Sequence, residues 1–323
     1  AAASFKHVSP AGAAVAGDLS ADFLASQFFP KGSYSGVASA YARARAGDRL
    51  CAFGDAAAVS DTVDVSLATL LKGEVSDLII APSYDPEALD ILKKKKSGQY
   101  LILQIEPDYE PPAAEERELF GFRFKQQRNT ALAERSLFET FPSDVSETAI
   151  VATTALKYAQ SNSVCVGFEG QVIGLGAGQQ SRVHCTRLAC DKADKWMLTS
   201  HPAVRELAFV DGMSRQDRVN VVDQYLLMEE LSDAELTDFG SHLDTFPSPL
   251  SRQDRETWIR RHAGLCLSSD AFIPFRDNID RASRSGVGYV VHPGGSVRDA
   301  AVREACDEYG MSIVETGMRC FLH

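Results

Sequence analysis

The chain has 323 residues, 45% of them hydrophobic and 24% charged, enough for one large core or two packed units. Its formal net charge of −11 opposes binding to DNA or RNA, where lysine and arginine must neutralise phosphates. No basic start leads into an apolar run with a cleavage site, and no apolar stretch approaches the roughly 20 residues that cross a bilayer, so the sequence reads as cytoplasmic, with no membrane partner.

The chain opens with SFKHVSPAGAAVAG, an apolar segment in which Lys6 stands beside His7. An amine and an imidazole held together can move protons and steady negative charge. Adjacent strand residues point to opposite faces, so a joint role requires a bend, and the stretch from Pro10 to Gly12 is the predicted turn. AYARARAGDR then offers Arg43, Arg45 and Arg49 as cations for a small anion, with Lys93 to Lys96, Arg182, Arg187, Arg276 and Arg319 further along. The lysine run reads equally as a solvated helix end that complements the helix dipole.

Short apolar runs alternate with longer helical patterns, which predicts an α/β layered fold. A strand is expected over 77–81, a helix from Pro86 and a second strand over 100–105, while PDYEPPAAEERE at 107–118 reads as a connecting loop. The runs at 163–167 and 171–175 form a predicted hairpin before GLGAGQQSR. Its small residues would let a ligand approach the backbone, and a helix beginning near Gln179 would aim free N–H groups at an anion, with Arg182 in the first turn. The spacing matches neither a dinucleotide fingerprint nor a P-loop. Asn162, just before the hairpin, offers a donor and an acceptor suited to a carboxamide or purine-like edge.

From about Ser214 to Ala263, three charged segments each begin at a plausible N-cap, which predicts a helical insertion without chemistry of its own. Beyond it, a Ser-Asp, proline, helix, Ser-Gly, strand order resembles that around 76–105 and argues for an internal duplication. Phe272 and Phe275, followed by Arg276 and Asp277, could hold a flat heteroaromatic ring, although two phenylalanines are core residues by default. The apolar ending MRCFLH predicts a terminal strand that ties down Arg319 and His323. The seven cysteines are scattered and form no C-x-x-C pair, as expected of reduced, packed thiols. Cys185 is the one candidate nucleophile, and packing is the preferred reading.

Taken together, FKHVSPAGAAV, AYARAR-GDR, FGD, VSDLIIAP, QSNSVC, GAGQQSR-HCTRLA-DKA, SSDAF-PFRDN-DRA-RSGV and EACDE-G resemble, over essentially the whole chain, the 5-aminoimidazole-4-carboxamide ribonucleotide (AICAR) transformylase domain of bifunctional purine-synthesis proteins. The resemblance implies two cytidine-deaminase-like three-layer α/β/α subdomains without zinc. These would span 1–106 and 131–323, joined by 107–130, with the helical insertion near 203–264. It implies a cytosolic homodimer with sites at the subunit interface, and formyl transfer from N10-formyltetrahydrofolate to the 5-amino group of AICAR.

By that resemblance His7 accepts the proton of the attacking amine, Lys6 stabilises the oxyanion or protonates the departing N10, and Asn162 orients the carboxamide. Gly54, Asp77, Lys96, Arg182, Asp277 and Arg319 would contact the nucleotide; Val183, Phe272, Asp277, Ser296 and Val297 would contact the folate. A potassium site would fall around Ser161, Ser163 and Asp270. Two departures stand out: the IMP cyclohydrolase domain of bifunctional relatives is absent, and the chain begins after an Arg-Tyr-Gly segment that helps hold the nucleotide. The competing reading is therefore a non-catalytic nucleotide- or folate-binding fragment. A deaminase is excluded by the lack of H-x-E with P-C-x-x-C.

Overall fold

A computed structural model describes residues 1–323. The first half runs β1 (Ala2–Lys6), β2 (Ser9–Ala14), α1 (Ala21–Ser26), α2 (Gly36–Ala46), β3 (Asp55–Val59), α3 (Val65–Lys72), β4 (Ser76–Ala81), α4 (Pro86–Lys93) and β5 (Leu101–Gln104). A separate pair, β6 (Ala114–Leu119) and β7 (Phe122–Gln127), follows. The second half runs α5 (Ser143–Leu156), β8 (Val164–Phe168), β9 (Gln171–Gly176), α6 (Arg182–Leu198), α7 (Pro202–Arg205), α8 (Arg215–Leu226), α9 (Asp233–Ser241), α10 (Arg252–Ile259), β10 (Cys266–Ser269), α11 (Asp277–Arg284), β11 (Tyr289–His292), α12 (Asp299–Glu308) and β12 (Ser312–Glu315).

Ten strands form one mixed sheet in the order β12-β11-β10-β8-β9-β2-β1-β3-β4-β5. The α/β class expected from the alternating runs is what the chain adopts. Each half contributes an antiparallel hairpin followed by three parallel strands, in the same spatial order, and the halves meet where β2 runs antiparallel to β9 through Ala14 and Gln171. The repeat is real in its connectivity, but the sequence reading aligned it one strand out of step. By topology β10-α11-β11 matches β3-α3-β4, whereas the Ser-Asp punctuation had paired it with β4-α4-β5. Ser76 and Asp77 open a strand while Ser269 closes one and Asp270 follows it, so their likeness is accidental.

The central helices show why these sequences are rich in small residues. A Cβ on Gly12 of β2 would stand 2.1 Å from the Ala44 carbonyl oxygen of α2, and one on Gly174 of β9 would stand 2.1 Å from that of Ala189 in α6. Helix α2 is accordingly alanine-rich and buried on nearly every side, from Ala38 to Ala46. Two of the three glycines of GLGAG, predicted to admit a ligand, are thus spent on close helix packing, a Cβ on Gly176 standing 2.4 Å from the Cys185 carbonyl oxygen, while Gly178 at φ 69° has open space beside it. On the opposite face Cys165 packs beneath α5 while Val164 and Val166 enter the core under α6, so helices cover both faces here.

Helix boundaries follow their caps. Pro86 occupies the first turn of α4, and Ser214, Ser232 and Ser251 cap the three insertion helices α8, α9 and α10, Ser232 in a capping box with Glu235. Helix α6 starts at Arg182, slightly later than predicted.

Three local expectations are corrected. The turn lies at His7 and Val8, with His7 at φ 55°, and Pro10 to Gly12 belongs to β2. The 107–118 stretch is not all loop, since its later residues pair with 122–127 as an exposed hairpin. The terminal residues after β12 form no strand. They cross the end of the sheet, where Cys320 donates to the Asp270 carbonyl and Ser161 to that of Leu322, so the tail is tied down by loops rather than by a ladder. No helix is long and apolar enough to cross a membrane.

Candidate functional site

The register places the predicted residues along one edge of the sheet. Lys6 ends β1, Gly54 and Asp77 lie at the starts of β3 and β4, and Lys96 precedes β5. Asn162 precedes β8, while Asp270 to Asp277, Ser296 and Arg319 follow β10, β11 and β12, all at the same end. Within this edge three groups are separately assembled.

In the first, Lys6 donates from Nζ to the carbonyls of Phe53 at 2.6 Å and Gly54 at 3.3 Å. Gly54 has φ 73°, and a Cβ on it would meet Lys6 Nζ at 3.1 Å and Asp77 Oδ2 at 3.5 Å. Only glycine both adopts this backbone easily and leaves that space. Asp77 pairs with Lys96 at 2.5 Å, both side chains well exposed. An ammonium has three donors, and Lys6 uses two on the protein. His7 next to it is exposed on its left-handed turn. The turn supplies the bend that a joint role requires.

In the second, Asn162 donates from Nδ2 to the carbonyls of Gln179 at 2.9 Å and Gln180 at 3.2 Å, and its Oδ1 accepts from Arg182 Nη2 at 2.8 Å. Arg182 is buried, and its other arm binds the Asp270 carboxylate and Ser269 Oγ. It therefore acts here by holding Asn162. Asp270 accepts on its second oxygen from Ser161 Oγ at 2.6 Å and from the Ser163 amide at 2.9 Å and hydroxyl at 3.1 Å. Both carboxylate oxygens are filled by protein donors, so Ser161, Ser163 and Asp270 do not fit a potassium ion as arranged.

The third group comprises the loops after β10 and β11. Phe272 and Phe275 are exposed, Arg298 lies 5.1 Å from the Phe275 ring, and Asp277 opens α11 at the surface. The Ser296 amide donates to Asp299, and Val297 is wholly exposed. Val183 in the first turn of α6 is partly exposed. Arg319 stacks over Phe321 at 4.0 Å and pairs with no carboxylate. Two exposed aromatics on these loops make a surface able to receive a flat ring.

One hydrogen bond links the neighbourhoods of the first two groups: Ser9, the register partner of Lys6, accepts from the Gln160 amide at 3.3 Å, two residues before Asn162, which itself precedes a strand three away from β1. The third adjoins the second, since Val183 follows Arg182, Phe272 lies two residues beyond Asp270 and Arg182 sits 5.9 Å from the Phe321 ring, but it lies apart from Lys6. β10 is four strands from β1, on the order of 19 Å at strand spacing, so within one chain Phe272 and Asp277 do not reach Lys6.

Several other predicted cations are consumed by the fold. Arg43 donates to the carbonyls of Val15 and Glu169, Arg45 pairs with Asp55 at 2.8 Å and Glu74 at 3.0 Å, and Arg276 pairs with Asp280 and Glu308. The Cys185 thiol donates to the Asn162 carbonyl, and burial pushes its pKa up to about 11, so it packs rather than reacts. The sequence reading missed the carbonyls of Phe53, Gln179 and Gln180, because backbone groups carry no sequence signal. It also gave Asp270 only a potassium role, although a buried Arg182 demands a carboxylate.

A profile of the AICARFT/IMPCHase bienzyme family matches residues 1–192. The chain is similar to the bifunctional purine biosynthesis protein PurH of Magnetococcus marinus, 31% identical over 98% of this chain and 47% of that protein. The PurH proteins of Roseobacter denitrificans (30%, covering 89% of this chain and 45% of the relative) and Persephonella marina (28%, 88% and 44%) are similarly related. The chain spans just under half the length of these relatives, and by the match of its own first 192 residues it belongs to the AICARFT/IMPCHase bienzyme family.

Proposed function

We propose that this chain catalyses formyl transfer from N10-formyltetrahydrofolate to the 5-amino group of AICAR in purine (IMP) biosynthesis, as a cytoplasmic transferase. The observation that carries the reading is the shared rim of the sheet on which Lys6 is pinned by two carbonyls, His7 stands free beside it, and Asn162 is fixed by Arg182.

The amine of this substrate is a weak nucleophile, its lone pair drawn into the ring and carboxamide. As its nitrogen bonds to the formyl carbon, His7 accepts the amine proton. The third N–H of Lys6 faces the tetrahedral oxyanion, or gives a proton to N10 as that carbon–nitrogen bond breaks. General base help is worth about 10² to 10⁴ in rate, and one oxyanion donor about 2.7 to 4 kcal/mol. Both N–H bonds of Asn162 are held by Gln179 and Gln180, so it meets the carboxamide N–H through the remaining lone pair of its Oδ1. Lys96 takes the phosphate only by leaving Asp77, which is then free for the sugar hydroxyls; Arg319, an unpaired cation on the far side of the same rim, reaches that phosphate only from a partner copy.

The remaining residues require a second copy. The distance from Lys6 to the Phe272, Asp277, Ser296 and Val297 loops supports a homodimer in which one copy's Lys6 edge meets its partner's folate loops. Exposed Leu101 and Leu103 on edge strand β5, and Phe120 and Phe122 on the β6–β7 hairpin, are apolar surface of the kind such a partner covers. The halves 1–106 and 131–323, bridged by 107–130, are then read as cytidine-deaminase-like subdomains.

The test is to mix the chain with AICAR and N10-formyltetrahydrofolate and follow tetrahydrofolate release, with His7→Ala alongside. Release that depends on His7 supports the reading. Binding of both substrates without release overturns it in favour of a nucleotide- or folate-binding fragment.

A further inference from the structure

A cleft of about 630 Å³ opens between the end of α2 and the loop after it, the second half of α6 and α8. Its walls include Phe28, Leu50, Trp196, Val222 and Leu226. The volume falls in the range of small-molecule sites, and the lining mixes apolar with charged side chains.

The charges around it do not balance. Arg45, Arg49 and Arg215 all converge on the single carboxylate of Glu74, at 3.0, 3.3 and 3.1 Å, with Asp55 as the only other carboxylate on Arg45. Three guanidiniums thus share two carboxylates. Four of the five carboxylates on the cleft wall are already engaged, Asp48 by Lys192 at 2.8 Å, Asp223 by Lys195 at 2.7 Å, and Asp191 and Asp194 by Arg281; the fifth, Glu230, is exposed to solvent and pairs with no cation. Arg49 is left over. It lines the cleft, is only 8% exposed, lies over the Phe29 ring at 4.6 Å, and has no acceptor for Nε or Nη1. A buried guanidinium stays charged, and leaving its donors unmet is costly.

We propose that this cleft binds a small ligand with an apolar body and one anionic head, the head on Arg49 and the body against the Trp196 and Leu226 walls. The proposal does not depend on formyl transfer at the sheet edge.

The experiment compares 8-anilinonaphthalene-1-sulfonate with N-phenyl-1-naphthylamine, the same ring system without the sulfonate, by fluorescence titration of the whole chain. The sulfonate is expected to bind at one site, tighter by roughly ten- to a hundredfold, the range of a charge-assisted hydrogen bond, with the advantage lost in Arg49→Met. A second readout needs no variant. Cys51 lines the cleft and is the one cysteine not buried, so saturating sulfonate probe is expected to slow its labelling by N-ethylmaleimide. Equal binding of the two probes, an undiminished sulfonate advantage in Arg49→Met, or unprotected Cys51 would each overturn the proposal.

Discussion

Asn162 is held by Arg182: the guanidinium gives one arm to the Asn162 side-chain oxygen at 2.8 Å and the other to Asp270. The amide edge is therefore only as well placed as the ion pair behind it. Asp270→Asn is expected to strand a buried cation and destabilise the chain by about 3 kcal/mol. A loss below about 1 kcal/mol in urea unfolding would show that the pair is not the anchor described.

Lys6 and His7 both reach the surface edge, and the packing of the core does not depend on them. His7→Ala is expected to lower formyl transfer about 10² to 10⁴-fold and Lys6→Met by a comparable factor, with unfolding midpoints nearly unchanged. Steady-state turnover and urea titration on the same samples check this. Equal losses of activity and stability would assign the pair a structural role.

Gly54→Ala adds strain at φ 73° and sets a methyl 3.1 Å from Lys6 Nζ. The expected result is a stability loss of about 1 kcal/mol or more together with a fall in kcat. Crystallographic or NMR evidence that Lys6 keeps its bonds to Phe53 and Gly54 would leave only the backbone contribution.

If a second copy completes the site, charging its apolar contact surface separates the copies. Phe122→Glu combined with Leu101→Glu is expected to give a folded monomer in sedimentation, with turnover lost at concentrations where the parent chain is dimeric. A parent chain that sediments as a monomer contradicts the shared site directly.

His292 is fully buried, with Nδ1 accepting from the Ile273 amide at 3.3 Å, and burial pulls its pKa below the ordinary 6.5 despite Asp299 and Glu315 nearby. The folded chain keeps it neutral while the unfolded chain takes up a proton. Its contribution to stability is complete above pH 6.5 and declines as pH falls below that value. His292→Gln should flatten this acid limb, measured as the denaturant midpoint between pH 8 and 5.

Much of the architecture was written in local pattern. The 163–167 and 171–175 runs became β8 and β9, Pro86 began α4, and three serines capped the insertion helices, because strand alternation and capping act within a few residues. What escaped were non-local facts. Nothing in GLGAG distinguishes a ligand-facing glycine from one pressed against Ala189, and nothing in AYARARAGDR tells Arg45, sunk onto Asp55, from an available cation. The repeat was visible but misaligned, since Ser-Asp pairs serve strand starts and strand ends alike. Lys6, His7 and Asn162 were legible as chemistry-bearing residue types; the carbonyls that aim them were not.

Because β2 and β9 run in opposite directions, the second copy of the repeat is turned end over end relative to the first. The hairpin turn at His7 therefore has its topological twin, Glu169 and Gly170, on the far rim of the sheet. The repeated connectivity gives the protein two rims of equivalent topology and unequal equipment. The near one draws on the beginnings of one copy's parallel strands and the ends of the other's, a combination that a single unduplicated copy has no means of presenting.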